Sequence, residues 1–170
     1  MPLHWTSVDT RYAILCAAVP SLSAFAGSMI ALKDEELVRY LKIQNFPESA
    51  RCKYTYLVLN TLVSVPFGYA SYVLYKIGGG FDYTDTKVAL GLYGATVFSG
   101  LCVLPVLKNK NIKTVAVNVG VLAGLSVATT TAFYTIDKIS AYWTIPFTIW
   151  AIFCTGVAMK AAGCCGQKEE

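Results

Sequence analysis

Hydrophobic and polar positions along this chain do not alternate; they come in blocks. Five stretches contain no Asp, Glu, Lys, Arg or His: Tyr12–Leu32, Tyr54–Tyr75, Val88–Leu107, Thr114–Ile136 and Ile139–Met159. They run to 21, 22, 20, 23 and 21 residues, together 107 of the 170. A helix rises about 1.5 Å per residue, so about 20 apolar residues cross a hydrocarbon core of about 30 Å. Each stretch therefore predicts a membrane-spanning helix. A membrane β-barrel would show alternating segments of about 10 residues instead, and none occur. The expected fold is an all-α membrane protein, a bundle of five transmembrane helices forming a single domain over residues 1–170, with 160–170 as a flexible tail. A cleaved signal peptide competes for the first span, since Arg11, an apolar run and Ala24–Ala26 imitate one. Against it, the apolar run continues to Leu32 and Asp9 precedes it.

Between the spans the chain is brief, except at residues 33–53. There Leu37, Tyr40, Leu41 and Gln44 share one helical face, which fits either an amphipathic segment on the bilayer or a solvated linker. After the second span come Gly78, Gly79 and Gly80, which end a helix by favouring positive φ; Thr84 or Asp85 can cap the next helix. Tyr69, Tyr72 and Tyr75 precede those glycines, where aromatic rings favour the membrane interface and Lys76 would snorkel to headgroups. Small residues recur at helical spacing in Ser23 and Gly27, in Gly91, Ala95 and Ser99, and in Gly120 and Gly124, as expected where helices pack closely in lipid. Pro20, Pro66, Pro105 and Pro146 lie inside four spans and free backbone carbonyls there.

Composition agrees with this reading. Charged residues make up 14% of the chain, against about 25% for a soluble domain. Their distribution sets sidedness. Arg11, Lys76, Lys87 and Lys138 fall on the side of the N-terminus, and the other ten Lys and Arg on the opposite side. The positive-inside bias then puts the C-terminus and the 33–53 loop in the cytosol, and no basic reading surface for nucleic acid is left. Six cysteines carry no CxxC pair and His4 is the only histidine, so no metal site is expected. Cys16, Cys102 and Cys154 read as packing residues. Cys164 and Cys165 stand where S-palmitoylation occurs, or remain plain thiols.

No ionisable group lies mid-membrane, which argues against ion pumps, proton-coupled transporters and voltage sensors. The remaining polarity is neutral: Asn60, Asn118 and Thr129–Thr131. Each asparagine either bonds across helices or meets a ligand. Trp150, Cys154 and Val157 share a face at i, i+4 and i+7, and Tyr56 and Asn60 share one in the same leaflet. A hollow between these faces would be apolar with an indole wall, suited to a flat hydrophobic ligand; the other reading has Trp150 packing or facing lipid.

These segments, read in order, resemble the translocator protein family, also called tryptophan-rich sensory proteins or peripheral benzodiazepine receptors. The resemblance rests on VPSLSAFAG at 19–27, GYASYVLYKIGGGF at 68–81, LGLY at 90–93, VATTTAF at 127–133 and PFTIWAIFCT at 146–155. It implies a five-helix fold, a cytosolic C-terminus, the outer mitochondrial membrane, and binding of sterols, porphyrins or benzodiazepine-type ligands. It also implies a ligand-facing role for Trp150 and, by position alone, for Tyr56, Leu57, Cys154 and Val157. The chain departs from the family by lacking the tryptophans and Pro-Pro pair entering helix two, where Ser49, Arg51, Cys52, Tyr54 and Asn60 stand. It also has Leu101 and Val103 in place of two helix-three tryptophans. The family's C-terminal sterol-type motif lacks its tyrosine, and only a loose match, Val38–Lys42, falls in the first loop. Porphyrin breakdown would depend on cavity tryptophans that are missing, so no catalytic residue and no cofactor are expected. The expected function is a membrane protein that binds a hydrophobic ligand and passes it on or senses it; the alternative is a scaffold that kept the fold and lost the pocket. Expected partners are lipid and a sterol or porphyrin, and a homodimer is one assembly open to it.

Overall fold

The computed structural model describes residues 6–33, 53–108 and 112–166. Among them are five helices and no strand: α1 (Ser7–Lys33), α2 (Lys53–Ile77), α3 (Thr84–Lys108), α4 (Ile112–Ile136) and α5 (Lys138–Gly166). Each holds a window of 20–24 residues apolar enough to cross a membrane. The helices overrun the uncharged stretches, because a helix does not stop at its first charge when that charge reaches water or a partner. The last continues to Gly166, into the segment expected to be a flexible tail. The expectations for Leu37, Tyr40, Leu41, Gln44 and Val38–Lys42 in the first loop lie outside the described residues.

Short polar signals set the helix ends. Thr6 and Asp9 form a reciprocal cap on α1: the Thr6 backbone N–H donates to Asp9 Oδ2 at 2.7 Å and the Asp9 N–H to Thr6 Oγ1 at 3.3 Å. This satisfies donors that the first turn leaves orphaned. α2 ends at the glycines as expected. Gly79 and Gly80 have φ of 74° and 70°, and Gly78 and Gly80 donate back to Leu74 O and Tyr75 O, each at 2.8 Å. Thr86 Oγ1 fastens the turn by donating to Gly78 O at 2.8 Å. Asp137 is the whole link between α4 and α5 and caps the latter, accepting from the Ser140 N–H at 2.6 Å and Ser140 Oγ at 2.7 Å.

Residue pairs across the seams show the packing order. Asp9–Lys76 and Ser28–Asn60 join α1 to α2, and Phe67–Phe147 and Asn60–Trp150 join α2 to α5. Thr130–Thr148 and Thr155–Val119 join α5 to α4, and Thr96–Thr129 joins α4 to α3. In the seams with two pairs, one number rises as the other falls, so those neighbours are antiparallel, and the short links from α2 to α3, α3 to α4 and α4 to α5 agree. The order around the bundle is α1–α2–α5–α4–α3. Contact between α1 and α3, where the ring would close, is slight, as it is between α2 and α3. Half of the α2 membrane window is buried, against 11% of that of α5, which makes α2 the central staff.

The bundle is turned inside out relative to a soluble protein. Ile14, Leu22, Leu62, Phe98, Val117 and Ile149 are all more than half exposed, while Ser64, Thr96, Ser126, Thr129, Ser140 and Thr144 are almost completely buried. In lipid the apolar side chains have no reason to hide and every hydroxyl needs a partner. The tight apolar core, Ala70, Leu74, Ala89, Phe133 and Ala141, gathers at the end where α1 begins.

That end also shows what the tyrosines touch. Lys76 has a partner that the sequence did not show, an ion pair with Asp9 of α1. Tyr72 is buried, donates its hydroxyl to Asp9 Oδ1 at 2.6 Å and stacks on Tyr12 with centroids 6.3 Å apart. Tyr69 meets Trp143 edge-on at 5.5 Å, and Tyr75 meets Phe81 at 5.3 Å. The spacing put the rings at one end of α2, but it did not show the carboxylate that Tyr72 and Lys76 share.

The small-residue spacings also divide. A Cβ built on Gly68 would come within 2.7 Å of Ala17 Cα and Pro20 Cγ, so α1 and α2 touch backbone to backbone there. Gly91 and Ala95, by contrast, are exposed, and nothing lies within 4 Å of a Cβ built on Gly91. Their expected packing is not made within the chain.

Candidate functional site

A cavity of about 130 Å³ lies in the bundle, toward the end where α1 finishes. Its walls come from all five helices: Pro20, Ser23, Ala24, Gly27 and Ser28 of α1, Asn60, Ser64 and Phe67 of α2, Thr96–Val97 and Gly100, Leu101 and Val103 of α3, Leu122 of α4, and Phe147 of α5. The space exists because small α1 side chains face α3 across the loosely joined seam. Leu101 lines the cavity and is nevertheless 45% exposed, so this wall is also part of the outer surface. Phe67 and Phe147 close the floor, stacked with centroids 4.3 Å apart. The cavity carries no charged lining residue.

The polar wall groups are already engaged. Ser23, Ser28, Ser64 and Thr96 donate to carbonyls one turn back along their own helices, at 2.8, 2.7, 2.7 and 2.8 Å. Asn60 has more capacity, and three helices meet on it. Its Nδ2 donates to Ser28 Oγ at 3.2 Å, and its Oδ1 accepts from the Trp150 indole N–H at 3.3 Å. Indole nitrogen can only donate, which fixes which end of the amide is oxygen.

Of the residues named from sequence, Asn60 is in this wall, and Trp150, Leu57, Cys154 and Val157 fall behind it. Trp150 and Asn60 do come together across the α2–α5 seam, but only Asn60 lines the cavity, and Trp150 stands behind it. The indole is half-buried, stacks on Phe153 at 5.6 Å and reaches the cavity through Asn60. Leu57 is buried, and Cys154 and Val157 are half-buried, one and two turns farther along α5 from Trp150; none of the three lines the cavity. Tyr56 belongs to α2, and its side chain lies outside the described residues. Sequence reasoning missed the α1 and α3 walls. A signal was present in Ser23 and Gly27, whose small size was read as close packing and in fact leaves room.

The other neutral polar residues separate by partner. Thr129 bonds Thr96 at 3.0 Å, and Thr130 meets Thr148 at 2.8 Å and Thr144 at 2.9 Å. Asn118 has its Oδ1 buried with no hydrogen-bond partner, the sole such side-chain atom among the described residues.

Comparison with known proteins agrees with the architecture. No curated protein matches the chain closely enough to count. A family model described as TspO/MBR matches residues 13–162, nearly the whole helical region just described. The chain is a membrane protein of the TspO/MBR family.

Proposed function

We propose that this protein binds a hydrophobic small molecule of the sterol or tetrapyrrole class within the bundle and takes part in its transport or sensing, without catalysis. The observation that carries the reading is the uncharged cavity itself, walled by small and aromatic side chains from five helices. Ligand pockets are of this kind, concave and apolar with few polar groups. Trp150 contributes by holding Asn60 against the cavity, and Leu57, Cys154 and Val157 support the same corner from outside it, with Tyr56 assigned there from sequence alone. The family relationship and the Lys/Arg asymmetry together favour an outer mitochondrial membrane location with the C-terminus in the cytosol.

A second reading has one specific observation in its favour. About 130 Å³ is well below the roughly 300–1,000 Å³ of small-molecule pockets. A sterol-sized guest therefore requires the walls to part, and a scaffold that kept the fold without the function would look as this chain does. Saturation binding separates the two. Purified protein in phosphatidylcholine nanodiscs is titrated with dehydroergosterol and with protoporphyrin IX, alongside Gly27→Leu, which fills the cavity from α1. Saturable binding of either probe, weakened at least tenfold in Gly27→Leu, supports the ligand reading. Absence of saturable binding of both supports the scaffold.

A further inference from the structure

We infer that Asn60 is the specificity-determining residue of this cavity and selects a neutral apolar guest bearing one hydroxyl group; the inference rests on the binding role proposed above. The first observation is orientation. The indole N–H of Trp150 takes the amide oxygen at 3.3 Å, and Ser28 Oγ takes one amide hydrogen at 3.2 Å. The amide is held from both ends and cannot flip without placing two donors against each other. The second amide hydrogen of Asn60 has no partner among the described residues, on a side chain that lines the cavity.

The rest of the wall makes that hydrogen unusual. Ser23, Ser28, Ser64 and Thr96 each have one hydroxyl hydrogen, and each hydrogen has a backbone carbonyl to go to. Among the lining side chains, Asn60 is the one with a donor to spare. Serine oxygens keep free lone pairs and can accept. A guest that fits this pattern presents one oxygen able to accept from Asn60 and one O–H able to donate to a serine such as Ser64. A hydroxyl does both; a ketone or ether does only the first, and a hydrocarbon does neither. A carboxylate fits badly, because the walls carry no cation and an unpaired buried charge is strongly disfavoured. The pattern thus separates the two ligand classes: an uncharged lipid alcohol fits, and a dicarboxylic tetrapyrrole does not unless its acid groups stay in water.

Trp150 is in this scheme a positioning residue. It need not touch the guest; by engaging the amide oxygen it leaves the nitrogen as the end with a hydrogen to offer. Asn60 is also one of the positions at which this chain departs from the pattern of the family it resembles.

Equilibrium binding of three matched probes tests the inference, using the full chain in phosphatidylcholine nanodiscs: dehydroergosterol, its 3-deoxy analogue and its 3-hemisuccinate ester. A net hydrogen bond of about 0.5–1.5 kcal/mol corresponds to roughly 2- to 13-fold in affinity. Wild-type protein is expected to prefer the alcohol to the deoxy compound by such a factor and to bind the anionic ester more weakly than the alcohol. In Asn60→Leu the alcohol–deoxy ratio falls to about one, with deoxy affinity retained. In Trp150→Phe the ratio also falls while deoxy affinity holds, a change that loss of packing alone would not give. The wild-type ratio needs no variant to fold: a value near one overturns the inference, as does an unchanged ratio in Asn60→Leu. If wild-type protein binds neither the alcohol nor the deoxy probe, the binding role itself fails, and the selectivity with it.

Discussion

At the scale of single residues, two positions show how little the residue type alone reveals. Gly68 is one of thirteen glycines, and its role is visible only in the crossing of α1 and α2. Pro20, lacking an N–H, leaves a backbone carbonyl of α1 without its helical donor, and Gly68 lies against this same turn, close to Ala17 and Pro20. Any side chain there pushes the helices apart. Gly68→Ala is expected to destabilise the protein by about 1–3 kcal/mol, the usual cost of overpacking a close contact, measured by denaturation in detergent; Gly91→Ala, facing open space inside α3, should not destabilise it and gains up to about 1 kcal/mol from helix propensity. Asn60 and Asn118 make the same point in polar form. Both were recognisable as neutral groups that need partners in lipid. One joins α1, α2 and α5, while the other buries an unpartnered oxygen, a difference decided by what stands opposite.

At the scale of helices, what joins neighbours is hydroxyl chemistry more than apolar contact. In a bilayer, burying a leucine against another helix gains little over burying it in lipid, whereas an unsatisfied hydroxyl is costly. α4 and α5 accordingly meet through Ser126, Thr130, Thr144, Thr148 and Thr155. Thr130 sits in the middle of this ladder. Thr130→Val keeps the shape and removes both cross-helix bonds, each worth about 0.6 kcal/mol in membrane proteins, so a loss of about 1 kcal/mol is expected in unfolding measurements. Thr131→Val is the control, because Thr131 is exposed and, among the described residues, its hydroxyl bonds only to Ala128 O on its own helix. The run of three threonines was plain in the sequence; which of them points at α3, which at α5 and which at lipid followed from helix order.

At the scale of the whole molecule, the bundle is firm at one end and loose at the other. The apolar core and the Asp9–Lys76–Tyr72 cluster close the end where α1 begins. The cavity lies toward the other end, beside the slight α1–α3 contact. A guest larger than the cavity has one inexpensive route in, by parting that seam toward the bilayer. Ala24 and Leu101 both line the cavity, and each lies seventeen residues from its helix start, so on these parallel helices they sit at similar depth. A bis-maleimide cross-link between Ala24→Cys and Leu101→Cys, made with the native cysteines replaced, should slow dehydroergosterol uptake at least tenfold. Made after loading, it should slow release by a similar factor. Unchanged rates in both directions would place the entrance elsewhere, for instance at the mouth near the first loop.

The sequence by itself determined that five helices cross a membrane, because the absence of charge over some twenty residues is a solvation fact that no fold can override. It also determined where α2 stops, since Gly79 and Gly80 adopt positive φ at little steric cost. Only the tertiary structure decided which faces meet. In lipid, apolar residues point outward as readily as inward, so periodicity does not mark the inner face, and Trp150 could be assigned to a helix corner but not to a wall. The cavity arises from small α1 side chains set opposite α3, a relation between helices distant in sequence that spacing within either one does not contain.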